Sequence, residues 1–535
     1  MNALNETGSM SKPNNLSLTH LLAQVCARSP VIKKTIDQYG QVSLDDYLRE
    51  TQLTCGSPLQ PRNDLLEAVH RYVAPLLGEV IAEKAVQELQ ILPAVVTAHH
   101  HGVDFQAQSV QTSLIFSLRK VGGKPATTVP VFACGNVALN NPTYPRGLLL
   151  YHVDRQAARF TLPIKLPIFP DRGKRRSVSI VAPYHIGMLA RAEQLLATIT
   201  TKNQISSALA TAAKSILRED YQNDTILGLR NYSQQAVMLN NRIWKRCFRE
   251  PDSAPEMIFL ELEQITNLLL QADLNNEDSL VWQVMFNPTI RARVLNQLDG
   301  TRACWNRSKM AQRLLLNPNH ALPNPASCGT IFFWGVCDNG YRIPLLLTLT
   351  CKADRVATLQ GRDDQGKLWT FPFRPADILN ELRAGRLLPS LFTCYSTIGF
   401  ARGVSCCGGY FQANYLSVMQ RGLVRAFGEI PGYAELAERL SQVPSNIYLS
   451  GMQAVMRGQD DDLLLPVGPV EIIASGGLSR DQLERMRSLT VRDTHLASLT
   501  DTLPDFLPLE DRPNDWLPCL AQESNHLLKE RIVVI

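Results

Sequence analysis

An apolar run from Ile91 to Ala98 gives way at His99-His100-His101-Gly102 to a mixed apolar and polar pattern beginning at Asp104. Within the run, Leu92-Pro93-Ala94-Val95-Val96-Thr97 is short, rich in β-branched residues and bounded by a turn signal, which predicts a buried parallel strand. Phe105, Gln108, Val110, Leu114, Phe116 and Leu118 then recur in mostly helical spacing, and Gly122-Gly123 closes the segment. A second buried strand, Thr128 to Ala133, ends in Cys134-Gly135-Asn136. Strand, helix, strand in this order places the loop after each strand at the carboxyl edge of a sheet, where the free amides of the next helix favour anions and polar ligands. The expected fold is α/β, a Rossmann-like, mostly parallel sheet with a large helical insertion.

The same pattern divides the chain into four expected segments. Residues 1–90 read as a flexible start and a helical region, with Leu65–Val69 and Val73–Leu77 as its clearest apolar stretches; Pro75 and Gly78 interrupt or end the second of these. Residues 91–185 hold the first α/β unit, a turn-rich loop from Asn140 to Gly147 and a further strand, Leu148 to Tyr151. Residues 186–325 read as a helical insertion or lid, including helices at Met188–Ile199 and Met257–Leu270. Residues 326–535 form a second α/β segment and the C-terminal region. In it Asp338-Asn339-Gly340 marks a hairpin, Pro375–Ala384 a helix ended by Gly385, and the stretch after Gly408-Gly409 a long helix stopped by Gly428. The stripe Phe411, Tyr415, Val418, Met419, Val424 and Phe427 is the expected buried face of that helix.

Bulk properties narrow the function classes. A formal net charge of +5 over 535 residues is small, and the one basic knot, Arg172-Gly173-Lys174-Arg175-Arg176, lacks the interleaved aromatics of a nucleic-acid surface. Neither nucleic acid nor membrane is an expected partner, since no apolar run approaches bilayer length. Twelve cysteines are scattered without a Cys-x-x-Cys pair and read as reduced, buried thiols. No basic flank leads into an apolar core near the start, so a secretory signal is not expected, and the expected location is cytoplasmic.

His99, His100 and His101 stand where a sheet builds its site. Polar contact with a substrate is the first reading, hydrogen-bonded capping of the strand end the second. A metal ranks third, because of three adjacent extended side chains only His99 and His101 point the same way, which leaves too few ligands. Asn136 and Asn140 follow the second strand and stand near the histidines, although turn formation explains Asn140-Asn141 equally well. Gly408 and Gly409 can admit a ligand at a helix start, with Gln412 and Asn414 in its first turn. Beside them, Arg402 and Cys406-Cys407 suggest a substrate cation and a nucleophile, whereas small residues in a tight turn account for the cysteines without chemistry. No phosphate loop, dinucleotide fingerprint or serine-hydrolase elbow occurs.

At two places the chain resembles the cysteine-adding enzymes of bacillithiol biosynthesis. One is Val95-Val96-Thr97-Ala98-His99-His100-His101-Gly102, set against a family pattern of apolar strand, Thr-Gly-Gln-Gln and glycine. The other runs from Leu387-Leu388-Pro389-Ser390 through Gly408-Gly409-Tyr410-Phe411-Gln412 to Phe427-Gly428, and Arg342-Ile343-Pro344-Leu345 is a weaker echo. His99-His100 replaces the family's Gln-Gln, Cys134-Gly135-Asn136-Val137 replaces its acidic and histidine cluster, and its long C-terminal coiled coil is not apparent. The resemblance implies a Rossmann-like core and a similarly placed pocket more strongly than the same reaction, and it permits a nucleotide cofactor that no loop demands.

The expected function is a cytoplasmic biosynthetic enzyme joining small polar metabolites, such as an amino acid to a small acceptor, by carbon–nitrogen bond formation. The three histidines would be its acids, bases or polar ligands, and the Gly408–Gln412 loop a second wall of the same cleft. The alternatives are a metal-dependent hydrolase using the histidine tract and a non-catalytic binding subunit of a biosynthetic complex. A homodimer is left open.

Overall fold

The computed structural model describes residues 17–51, 59–60, 62–153, 162–315, 325–349, 357–459, 463–512 and 516–535. The expected flexible start, 1–16, lies outside them.

Five parallel strands make the central sheet: β1 (Ala94–Val96), β2 (Thr128–Ala133), β3 (Glu256–Glu261), β4 (Ser405–Gly409) and β5 (Tyr448–Ser450). Their spatial order is β3-β2-β1-β4-β5. β1 runs beside β4 with Ala94 opposite Ser405 and Val96 opposite Cys407, and β2 runs beside β3 from Thr128–Glu256 to Ala133–Glu261. An order that proceeds one way from β1 and then the other is that of a doubly wound, Rossmann-like sheet, and it opens a crevice at the carboxyl ends of β1 and β4.

Both faces of the sheet are covered, so its strands are apolar throughout rather than alternating. Val95, Phe132, Ile258, Leu260 and Cys406 belong to one core, with the helices Asn63–Leu77 and Glu79–Ile91. Ala94, Val96, Val129, Val131, Phe259 and Cys407 belong to the opposite core, with α1 (Ala107–Ser117) and the helix Leu18–Arg28. The N-terminal helices thus cover both faces, and the second apolar stretch runs through Pro75 to stop at Gly78, whose φ is +93°. Among the described residues no helix is long and apolar enough to cross a membrane.

Three expectations change. The block 186–325 is not a helical insertion set apart from the sheet. Helices such as Ile186–Thr201 and α2 (Tyr232–Arg246) dominate its first half, but Met257–Leu270 splits into β3 and α3 (Leu262–Asp273). An apolar run buried on both sides carries no periodicity to tell strand from helix, and pairing with β2 decides for strand. Cys406 and Cys407 lie in β4, not in a tight turn, with their side chains in opposite cores. The strand expected at Leu148–Tyr151 forms, as Gly147–Leu150, but pairs antiparallel with Ile164–Pro167 away from the central sheet.

The hairpin marked by Asp338-Asn339-Gly340 is present, with Phe333–Val336 antiparallel to Arg342–Pro344 and Leu387–Pro389 on its other side. Gly340 adopts φ +75°, the left-handed turn conformation that glycine takes without a steric penalty. The long helix α4 (Tyr410–Gly428) runs as its pattern predicts but is rotated. Its buried side is Gln412, Ala413, Leu416, Met419, Leu423, Ala426 and Phe427, while Phe411, Tyr415, Val418 and Val424 are only half-buried.

Candidate functional site

The crevice at the carboxyl ends of β1, β2 and β4 is a cavity of about 860 Å³. Thr97, His99 and His100 enter it from the loop after β1, and Cys134 and Asn136 from the loop after β2. Gly409, Tyr410, Phe411, Gln412 and Tyr415 enter from β4 and the start of α4. The two loops singled out in the sequence, more than three hundred residues apart, therefore share one cleft.

The histidine tract continues the parallel pairing of β1 with β2, since the Cys134 amide donates to the His99 carbonyl (3.0 Å) and the His101 amide to the Cys134 carbonyl (2.8 Å). Extended backbone makes the rings alternate. His99 and His101 both pack on Phe259, with ring centroids 5.7 Å away in each case. His100 turns the other way, its Nδ1 donating to Asn141 Oδ1 at 2.9 Å. His99 Nε2 lies 2.9 Å from Ser113 Oγ and 3.7 Å from an Asp104 carboxylate oxygen. His101 is fully buried below the cavity and does not line it; its Nε2 donates to Ser233 Oγ (2.8 Å), which donates to Glu261 Oε2 (2.5 Å).

Burial lowers the pKa of all three imidazoles, that of His99 to about 3, so each is neutral near neutral pH and acts as a hydrogen-bonding group. The groups that titrate near neutrality are carboxyls. Burial pushes Asp104 up to about 7. Asp501, which lines the cavity from α5 (Leu499–Phe506), is raised to about 7 by burial and then by the Asp505 charge.

A third carboxyl, Glu263, projects into the cavity from the first turn of α3 and is 1 % exposed. Burial and then the Glu261 charge raise its pKa, against the Gly135 amide (2.7 Å), which donates to it; the Asn136 amide also donates to it (3.0 Å). Asn136 is 4 % exposed, and among the described residues neither its Oδ1 nor its Nδ2 has a hydrogen-bond partner. Over it, the hairpin delivers Arg342, whose guanidinium lies 4.8 Å from the Trp334 ring centroid and donates to the Asn136 carbonyl. At the far end Tyr410 donates its hydroxyl to Asp505, and Arg302 sits 3.9 Å over the Phe411 ring.

The remaining expected site residues divide. Gln412 lines the cavity, its Nε2 donating to Thr97 Oγ1 at 2.6 Å, which ties β1 to α4. Gly409 lines it as well, whereas Gly408 makes room for Gln412, because a Cβ there would overlap the Gln412 amide. Gly408→Ala is expected to cost about 1–3 kcal/mol as an overpacked site. In a Gln412→Ala background the same change should be nearly neutral, and a urea-denaturation double-mutant cycle with no coupling between the two would contradict this assignment.

Three expected residues lie elsewhere. Asn140 is an exposed turn residue, its amide donating to the Lys174 carbonyl. Asn414 is on the outer side of α4, lining a separate cavity with Lys34 and Arg421. Arg402 is 1 % exposed and bound to Asp64 and Asp273, with Nε 3.0 Å from Asp64 and Nη2 3.0 Å from Asp273, so its fork is fully engaged in holding the fold.

Glu261-Leu262-Glu263 carries no distinct signal in the sequence, because the apolar run before it reads as helix and hides an acidic pair at a strand end. The i, i+4 pair Asp501 and Asp505 carried only the ordinary signal of a helix face. Among the described residues no group of three or more His, Cys, Asp and Glu side chains is placed to hold a metal ion. No family model, no curated protein and no solved structure matches the chain.

Proposed function

We propose that this protein is a cytoplasmic biosynthetic enzyme that binds small polar metabolites in the switch-point cavity and joins them by carbon–nitrogen bond formation. The observation that carries this reading is the pairing, in one cavity of about 860 Å³, of carboxyls raised by burial with cationic side chains. An amine nucleophile reaches the site as an ammonium and must lose a proton before it attacks. A carboxylate whose pKa lies near the working pH takes that proton and passes it to the leaving group with the least mismatch. Glu263 and Asp501 are the groups suited to it, in place of the neutral histidines. His99, His100 and Gln412 serve as polar ligands that orient the substrates, and Arg342, Arg302 and Lys309 offset negative charge on the acceptor.

The resemblance to the cysteine-adding enzymes supports the same reaction class. In that comparison Glu261 and Glu263, brought beside Cys134-Gly135-Asn136 by β3, supply the acidic character that the loop after β2 lacks. A nucleotide is compatible with the reading, and the cavity is large enough for one beside an amino acid.

The test is a matrix of amino acids and small hydroxylated or acidic acceptors, each with and without ATP, read by mass spectrometry for a condensation product. Glu263→Gln should lower product formation by about 10²–10⁴-fold, the usual contribution of a general base. Product formed at the wild-type rate by Glu263→Gln would remove that residue from the chemistry. Tight binding with no product from any pair would favour a non-catalytic binding subunit.

A further inference from the structure

Arg342 carries a charge that forms no ion pair among the described residues. Several other buried or half-buried arginines have a carboxylate: Arg402 has Asp64 and Asp273, Arg119 has Glu88, and Arg246 has Asp220. Among the described residues Arg342 forms no ion pair, and its guanidinium makes a single hydrogen bond, to the Asn136 carbonyl. The Glu263 charge reaches Arg342, but that carboxyl is taken up by the Gly135 and Asn136 amides and the Cys134 thiol. Arg342 is half-buried where it lines the cavity, and a guanidinium partly withdrawn from water without an ion pair favours an anionic partner.

Directly beside it lies a second unsatisfied group. Asn136 lines the same cavity with both side-chain polar atoms unpartnered, although buried amides are nearly always hydrogen-bonded. Two independent deficits, one of negative charge and one of hydrogen-bond acceptors and donors, meet at the end of β2. The Trp334 ring holds the guanidinium 4.8 Å from its centroid, and both residues line the cavity. Thr143 and neutral His100 stand at the same end of the cavity.

We infer that the end of the cavity formed by Arg342 and Asn136 is an oxyanion subsite, which takes the carboxylate or phosphate group of a small-molecule substrate. The planar fork of Arg342 matches two oxygens of such a group, and the Asn136 amide supplies a further donor. This rests on the reading of the cavity as a small-metabolite site and adds that one substrate is anionic and enters with its charged group toward β2.

The experiment is isothermal titration of the intact protein at low ionic strength with inorganic phosphate and, separately, with malate. At least one should bind, and the stronger of the two identifies which oxyanion the subsite prefers. Arg342→Gln should weaken that binding about tenfold or more, the loss of roughly one charge-assisted pair, while Arg342→Lys retains part of it. Asn136→Asp should abolish it with the fold intact, because the new carboxylate supplies the missing partner of Arg342 and no existing hydrogen bond of the side chain is lost. Were Arg342→Gln to unfold, Asn136→Asp would still decide the matter. The inference is overturned if neither anion binds the wild type, or if affinity is unchanged in both Arg342→Gln and Asn136→Asp. No turnover enters this readout, so a protein that binds the anion and catalyses nothing would keep the subsite and lose the enzymatic reading.

Discussion

Replacing Arg402 with methionine is expected to destabilise the protein by about 3–5 kcal/mol, the usual cost of removing one member of a buried ion pair. Arg402 and Asp273 are 1 % and 3 % exposed at their side chains, and Asp64 closes the group from a position open to solvent at 37 %. Arg402 also donates to the Thr397 carbonyl at 2.8 Å, so the same side chain fastens the segment that leads into β4. Without the guanidinium, Asp273 keeps its desolvation cost and loses the attraction that offsets it. Urea denaturation measures the loss, and a second change, Asp273→Leu, should restore part of it by removing the stranded carboxylate. Oxyanion affinity of the folded Arg402→Met protein should equal that of the wild type. A variant that keeps its stability but loses the ligand would return Arg402 to the substrate site, where the sequence alone had suggested it.

The second large effect is on the pH dependence of stability. Asp104 has one carboxylate oxygen bonded to the Gln106 amide and the other, 3.7 Å from His99 Nε2, without a hydrogen bond among the described residues, and burial raises its pKa from 3.8 to about 7. A carboxyl whose pKa is higher in the folded than in the unfolded chain favours folding fully below the unfolded value. That contribution is lost as pH rises through the folded value, because the unfolded chain releases the proton first. Between about pH 4 and pH 7 the loss approaches 1.4 kcal/mol per pH unit at its steepest. Asp104→Asn removes this dependence, so the variant should gain on the wild type as pH rises, on the order of 4 kcal/mol by pH 8 relative to acid pH.

Glu471, also raised to about 7 by burial, and Asp501 add to the same slope. His99 and His495 oppose it from the acid side. Burial lowers them to about 3 and about 4, so their contribution is complete above the unfolded value of 6.5 and lost as pH falls toward the folded values. Thermal melts from pH 5 to pH 8 test the balance for Asp104: a constant difference between wild type and Asp104→Asn across that range would show that the carboxyl does not titrate there.

How much of the site was legible depended on whether a residue's role was set by its neighbours in sequence. Strands β1 and β2, the hairpin turn at Asp338-Asn339-Gly340 and the extent of α4 follow from local signals, namely a short β-branched run, a turn residue suited to positive φ, and helical spacing ended by glycine. These suffice to place His99, His100, Asn136, Gly409 and Gln412 at strand ends and helix starts, hence at the edge where a parallel sheet opens. The location of the cleft was therefore carried by the chain pattern.

The chemistry within the cleft was decided by tertiary structure. Met257–Leu260 is apolar on every side, and only pairing with β2 makes it a strand and turns Glu261 and Glu263 toward Cys134 and Asn136. Ser405-Cys406-Cys407-Gly408-Gly409 has the composition of a turn, and it is a strand because β1 and β5 flank it. Arg402 and Arg342 are the same residue type. One is paired with two carboxylates, with Asp64 338 positions away in the chain, and the other forms no ion pair among the described residues, although the Glu263 charge reaches it. Local pattern can determine which face of an element is apolar, since that depends on the backbone period alone. Whether a buried charge is paired, and therefore whether it serves the fold or waits for a ligand, depends on which distant side chains the packed sheet brings within a few ångströms, where Coulomb and desolvation energies are largest.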